Sequence, residues 1–153
     1  MGAVTLYPLV TPADADTALI VQGGALKRGA VNELVRVALP CFIGDESTPL
    51  TAGVGKYAFR VPFAFVLDEV RAAVTVAPTG AAIVVDVNEA GASVLSTPIS
   101  IDATEKTSTT AAAPPVISDA ALADDAEITI DIDAVGSTIA GAGLKVWLIG
   151  RRG

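Results

Sequence analysis

The segment Glu127-Ile-Thr-Ile-Asp-Ile-Asp places an isoleucine at every second position and a polar side chain between each pair. Period two belongs to the β-strand, whose successive side chains point to opposite faces; this strand therefore buries Ile128, Ile130 and Ile132 and wets Thr129, Asp131 and Asp133. The same cadence runs through much of the chain. Tyr57, Phe59 and Val61 alternate with Ala58 and Arg60, Pro62 marks an edge or bend, and Phe63, Phe65 and Leu67 continue the pattern. Glu69–Val76 reads as the next strand, with Val70, Ala72, Val74 and Val76 on one face. Ile83, Val85 and Val87 follow, and the Asn88–Gly91 turn returns the chain through Ser93–Ser96. Ile99–Ile101 and Leu144–Ile149 complete the set.

About seven or eight short strands with a turn signal every 8–12 residues or so predict an antiparallel β-sandwich or jelly roll. No amphipathic helix separates the strands, which disfavours a parallel α/β fold. Asp102–Pro115, with its threonines, alanines and two prolines, reads as a loop, and Ser118 is placed to cap a helical turn through Leu122. The first residues differ. Thr11-Pro-Ala-Asp-Ala-Asp-Thr looks like an extended arm, and Gln22-Gly-Gly begins a break. Val31–Leu39 is read as a strand that Pro40 ends, and Thr48–Gly55 as a connector. The expected division is an N-terminal anchoring segment, residues 1–54, and a β-sandwich domain, residues 55–153.

Hydrophobic residues make up 52 % of the chain but aromatics only 5 %, so the core must be built of aliphatic, largely β-branched side chains. Such an apolar, charge-poor chain is economically explained if neighbouring subunits cover part of its surface. The net charge of −7, with the basic residues scattered, argues against a nucleic-acid footprint. No apolar run approaches the roughly 18–20 residues of a membrane helix, and the N-terminus shows no secretory-signal pattern. A soluble protein made in a cytoplasm is expected.

Catalytic equipment is sparse. The chain has no histidine, which removes Ser/His and Cys/His nucleophile pairs and zinc sites built on histidine, and no phosphate-cradling glycine loop. The one cysteine, Cys41, precedes Phe42-Ile43 and reads as a buried small hydrophobe. Asp119, Asp124, Asp125, Glu127, Asp131 and Asp133 are dense enough to supply oxygen ligands to calcium, although their spacing matches no calcium loop. That cation site stays open beside an ordinary solvated strand face. Asp86–Gly91 resembles the start of an EF-hand loop but lacks its later ligands, and a hairpin turn accounts for it. A glycosidase needs only two carboxylates, so composition does not exclude one. Yet sugar-cleaving clefts stack aromatics on the substrate, and here only Trp147, Tyr7 and Tyr57 could serve as platforms. Trp147 falls on the outward phase if Leu144, Val146 and Leu148 point in, and both packing and an interface anchor fit it. An enzyme is not expected, nor any cofactor.

Several pieces resemble, in order and spacing, a β-rich domain of structural proteins of tailed bacteriophages and prophages. They are Phe59-Arg-Val-Pro-Phe-Ala-Phe with Val70-Arg-Ala, Ala77-Pro-Thr-Gly with Ile83-Val-Val-Asp-Val-Asn, Val94-Leu-Ser-Thr and Ile101-Asp-Ala-Thr-Glu-Lys-Thr-Ser. Ala123-Asp-Asp-Ala-Glu-Ile-Thr-Ile-Asp-Ile-Asp and Val135-Gly-Ser-Thr-Ile-Ala-Gly-Ala-Gly-Leu complete the series, which covers about two-thirds of the chain. The resemblance implies a virion component assembled in the host cytoplasm, not a catalyst. A capsid decoration or head-projection protein on the major capsid protein, trimeric and anchored by its N-terminal segment, is the first expectation. A tail fibre or baseplate component that binds a host receptor is the second. The candidate interface residues are Tyr7, Leu9, Val35, Val37 and Trp147.

Overall fold

The computed structural model describes residues 17–22, 25–30 and 36–153. The chain divides into two compact units, Met1–Val35 and Arg36–Gly153. In the first, β1 (Thr17–Gln22) and β2 (Ala25–Ala30) pair antiparallel, with Gln22 opposite Ala25. The expected N-terminal segment, residues 1–54, thus contains a hairpin, while residues 11–16 of the expected arm lie outside the described residues.

The second unit is an antiparallel β-sandwich. One sheet has four strands in the order β11 (Ala121–Leu122), β5 (Phe65–Ala73), β13 (Leu144–Arg152) and β3 (Val37–Ile43). The other runs β4 (Gly53–Arg60), β12 (Glu127–Ala134), β6 (Ile83–Glu89) and β7 (Ala92–Ser93), with β9 (Ile99–Ile101) also on β6. A short pair, β8 (Leu95–Thr97) with β10 (Val116–Ile117), completes the unit.

The alternation sets the core. Ile128, Ile130 and Ile132 of β12 and Ile83, Val85 and Val87 of β6 are almost fully buried, as are Leu144, Val146 and Leu148 of β13. Each such side chain contributes about 1.5–3 kcal/mol by leaving water. Aliphatic residues dominate the core, and Phe65 is the largest fully buried side chain.

At the β6–β7 hairpin Ala90 and Gly91 both have positive φ, 48° and 83°. Glu89 pairs with Ala92 around them. This is the turn whose twist matches the strands, and it explains the glycine, since nothing crowds a Cβ there. Gly150 has a different reason: a Cβ on it would overlap the Val66 carbonyl oxygen.

Several expectations need correction. The compact unit begins at Arg36, ahead of the expected boundary at residue 55, because β3 joins the sheet as the partner of β13. Its inward row, Val37, Leu39, Cys41 and Ile43, lies opposite Gly150, Leu148, Val146 and Leu144. Pro40 does not end this strand; it sits in the middle of it. The reason can be traced across the sheet. The Ala72 amide of β5 donates away from β13, to Ser108 Oγ, so Ala72 and Val146 form a non-hydrogen-bonded pair. Val146 therefore bonds to Cys41, and the neighbouring Pro40 turns its nitrogen to the outer edge, where a missing N–H costs no ladder bond.

The two strands expected across Phe63–Val76 are one. Between Leu67 and Glu69 the register on β13 shifts and Asp68 bulges out, which puts Phe65 and Leu67 in phase with Val70 and Ala72. Val76 lies beyond the strand and is exposed. Residues 118–122 form no helical turn: Ala121 and Leu122 pair with Val66 and Phe65. Among the described residues a 3-10 turn lies at Ser108–Thr110, capped by Thr107, whose hydroxyl accepts the Thr109 amide. Ser93–Ser96 splits into β7 and β8 because Val94 and Leu95 are both buried.

Candidate functional site

Trp147 lies on the outward face of β13, half-buried, while Leu144, Val146 and Leu148 point to the core. Its register partners are Pro40 on one side and Arg71 on the other. The Arg71 guanidinium does not cover the indole. It is drawn along its own strand to Glu69, which also takes a 3.2 Å bond from Arg36. Arg71, with Arg36 beside it, holds the Glu69 carboxyl below the ordinary carboxylate range. Trp147 has no ring contact among the described residues.

An open groove of about 470 Å³ surrounds this indole, with Trp147, Ile149 and Ala73 as its floor and Arg71, Thr107 and Thr109 at its sides. It adjoins a second hollow of about 620 Å³ with which it shares Arg71 and Thr109, and which Pro114 and Pro115 help to line. The wall is fixed to the sheet. The Ala72 amide donates to the buried Ser108 hydroxyl at 2.8 Å, the Val74 amide to Lys106 at 3.0 Å, and Ala73 bridges to Thr107. Along the edge of β5, the Leu67 amide donates to the Ala120 carbonyl at 2.7 Å. Only the short span around Val70 separates that tie from Ser108.

A second feature is the side of the sandwich where β3 and β4 form the edges of their sheets. Tyr57 and Phe59 lie opposite Ile130 and Ile128 and so point inward. They and Val37 and Leu39 of β3 pack on the core but are only partly buried. Phe42, 58 % exposed, and Val54, 84 % exposed, lie on the same two strands. Of the expected interface residues, Val37 thus belongs to this side and points inward, and Trp147 lies in the groove. Tyr7, Leu9 and Val35 lie outside the described residues. Of the sugar platforms, Tyr57 is turned inward and Tyr7 falls outside. Sequence reasoning missed Arg71, Thr107 and Thr109, because only the tertiary fold brings the 105–110 loop beside β5.

The acidic stretch does not converge. Asp131 faces Asp86 across the β12–β6 pair, and its oxygens accept the Gly55 amide at 2.6 Å and Asn88 Nδ2 at 3.1 Å. Asp86 accepts the Val87 amide and the Ser93 hydroxyl inside its hairpin. Asp133 is pushed above the ordinary carboxylate range by loss of hydration and by the neighbouring Asp86 and Asp131 charges. Asp125 and Glu127 are engaged with Arg60. Among the described residues no cluster of metal-ligating side chains forms. Cys41 is buried, and loss of hydration pushes its thiol up to about 11, leaving no thiolate at neutral pH. No helix of the described residues is long and apolar enough to cross a membrane.

No family model, no curated protein and no solved structure matches the chain.

Proposed function

We propose that this chain is a structural component of a tailed-bacteriophage virion, a capsid decoration or head-projection protein. It binds the major capsid protein through its N-terminal segment, displays the sandwich, and works as a homotrimer. One observation carries the assembly role: Val37, Leu39, Tyr57 and Phe59 point inward on two edge strands and are still only partly buried. A sandwich left open along one side gains by packing that side against a neighbouring subunit. Pro40 keeps β3 from extending its sheet into another chain, so the contact is made by side chains and not by a continuous backbone ladder.

The test is the copy number of the chain in purified particles, by quantitative mass spectrometry, with light scattering of the isolated protein. Copies on the order of hundreds per particle, as repeated capsid symmetry requires, and a trimer in solution are expected. Absence from the particle overturns the virion role, and a stable monomer overturns the trimer. A second reading, a tail fibre or baseplate component that binds a host receptor, is favoured by the groove beside Trp147. A handful of copies per particle decides for it.

A further inference from the structure

We propose that the groove beside Trp147 is a binding site for a neutral saccharide, with the indole as the platform for one pyranose ring. This goes beyond the assembly role and does not depend on it.

The indole carries the argument first. A large aromatic face standing on the outer side of a sheet, without a ring partner and without a cation over it, is free to receive an apolar surface. The C–H face of a sugar ring is such a surface, and its slightly positive hydrogens meet the negative face of the π-system. The polar groups around the indole suit the hydroxyl rim of the same ring. Thr107 and Thr109 hydroxyls lie 3.0 Å from each other, and each retains capacity to donate or accept. Arg71, which also lines the groove, uses its Nε on Glu69, and its terminal N–H groups make no hydrogen bond among the described residues.

Charge then narrows the ligand class. Among the described residues Arg71 is the one charged residue lining the groove, and its Nε is engaged by the Glu69 carboxylate, which also takes Arg36; Asp68 of the adjoining hollow pairs with Arg151. With no carboxylate among the described residues of its lining and its one guanidinium already ion-paired, the groove favours a neutral ligand over a cationic or anionic one. A caged quaternary ammonium needs several aromatic walls, and among the described residues Trp147 is the one aromatic that lines this groove.

An extended peptide added to the β5 edge is the main competitor, and the backbone excludes it. Strand addition needs a run of free amides and carbonyls. Here Ala120 occupies the edge at Leu67 and Ser108 occupies it at Ala72, so only the span around Val70 is open. Because the groove wall is tied to the strand by those same bonds, little ordering opposes binding of a rigid ring.

Trp147 is the one tryptophan of the chain, so its fluorescence reports on this site alone. The experiment titrates the full-length protein with gluco-, manno-, galacto- and N-acetylglucosamine oligosaccharides, and with a polyproline peptide as the competing class. The expected result is a saturable change in emission with at least one oligosaccharide. A glycan array or affinity electrophoresis then compares variants: Trp147→Ala weakens binding by about tenfold or more, equivalent to roughly 1.4 kcal/mol. Thr109→Val weakens it several-fold without changing the thermal midpoint. Should Trp147→Ala fail to fold, Thr109→Val and Trp147→Phe carry the comparison. No response to any oligosaccharide overturns the proposal. So does undiminished binding by the variants, or a response to the polyproline peptide alone.

Discussion

The Ser108 hydroxyl accepts the amide of Ala72 at 2.8 Å, thirty-six residues away, and holds the loop before Pro114 against the edge of β5. Ser108 is 5 % exposed, one of only two buried polar residues among the described residues. Ser108→Ala leaves the Ala72 amide buried and without its acceptor, which costs about 1–3 kcal/mol. Urea unfolding should show the midpoint falling with the slope unchanged, and the groove beside Trp147 should lose its fixed wall.

Pro40 faces the outer edge of β3, so replacing it restores a donor where an incoming strand could pair. Pro40→Thr should leave the fold intact, with at most about 1 kcal/mol lost through the freer unfolded chain. Its effect should appear in association. Size-exclusion chromatography over a concentration series is expected to show larger species for the variant than for the parent. Identical profiles would remove the protective role assigned to Pro40.

Asp131 and Asp133 lie on one strand and should respond in opposite directions. Asp131 clamps Gly55 and Asn88, so Asp131→Ala is expected to destabilise by roughly 1–2 kcal/mol. Asp133 feels loss of hydration and two like charges, and its folded-state pKa is raised. A raised carboxyl binds its proton more readily in the folded protein. The repulsion therefore acts above the folded pKa and fades as the pH falls through it. Asp133→Asn should raise the melting temperature at neutral pH and low salt. The gain should shrink in high salt and vanish in acid.

Cys41 should be silent to a thiol reagent at pH 8 in the native protein and react fully in denaturant. Its thiol moves from an ordinary value of 9.0 to about 11 on folding because burial disfavours the thiolate. The folded state thus holds the proton more tightly, so this stabilising contribution is complete below about 9 and is lost as the pH rises toward 11. Denaturation at stepped alkaline pH, parent against Cys41→Ala, checks the window: the decline belongs to the parent alone.

The alternation in Glu127–Asp133, Ile83–Val87 and Leu144–Ile149 determined by itself which residues of these strands face the core. A period of two leaves no other way to bury those side chains together, and the same phase turned Trp147 outward. The poverty in aromatics likewise determined an aliphatic core. Three things were decided only by tertiary structure. Pro40 reads locally as a strand end, yet pairing with β13 carries the strand through it, since its nitrogen falls on the free edge. Asp68 gives no local sign of a bulge; the shift is needed to keep Phe65 and Leu67 on the core side with Val70 and Ala72. The groove joins Trp147 and Arg71 to Thr107 and Thr109 through the Ser108 bond, a long-range contact that no local pattern encodes. Periodicity fixes the face a side chain takes, because it depends on neighbours two residues away; a binding surface depends on which strands and loops meet, and that is settled only when the sheets pack.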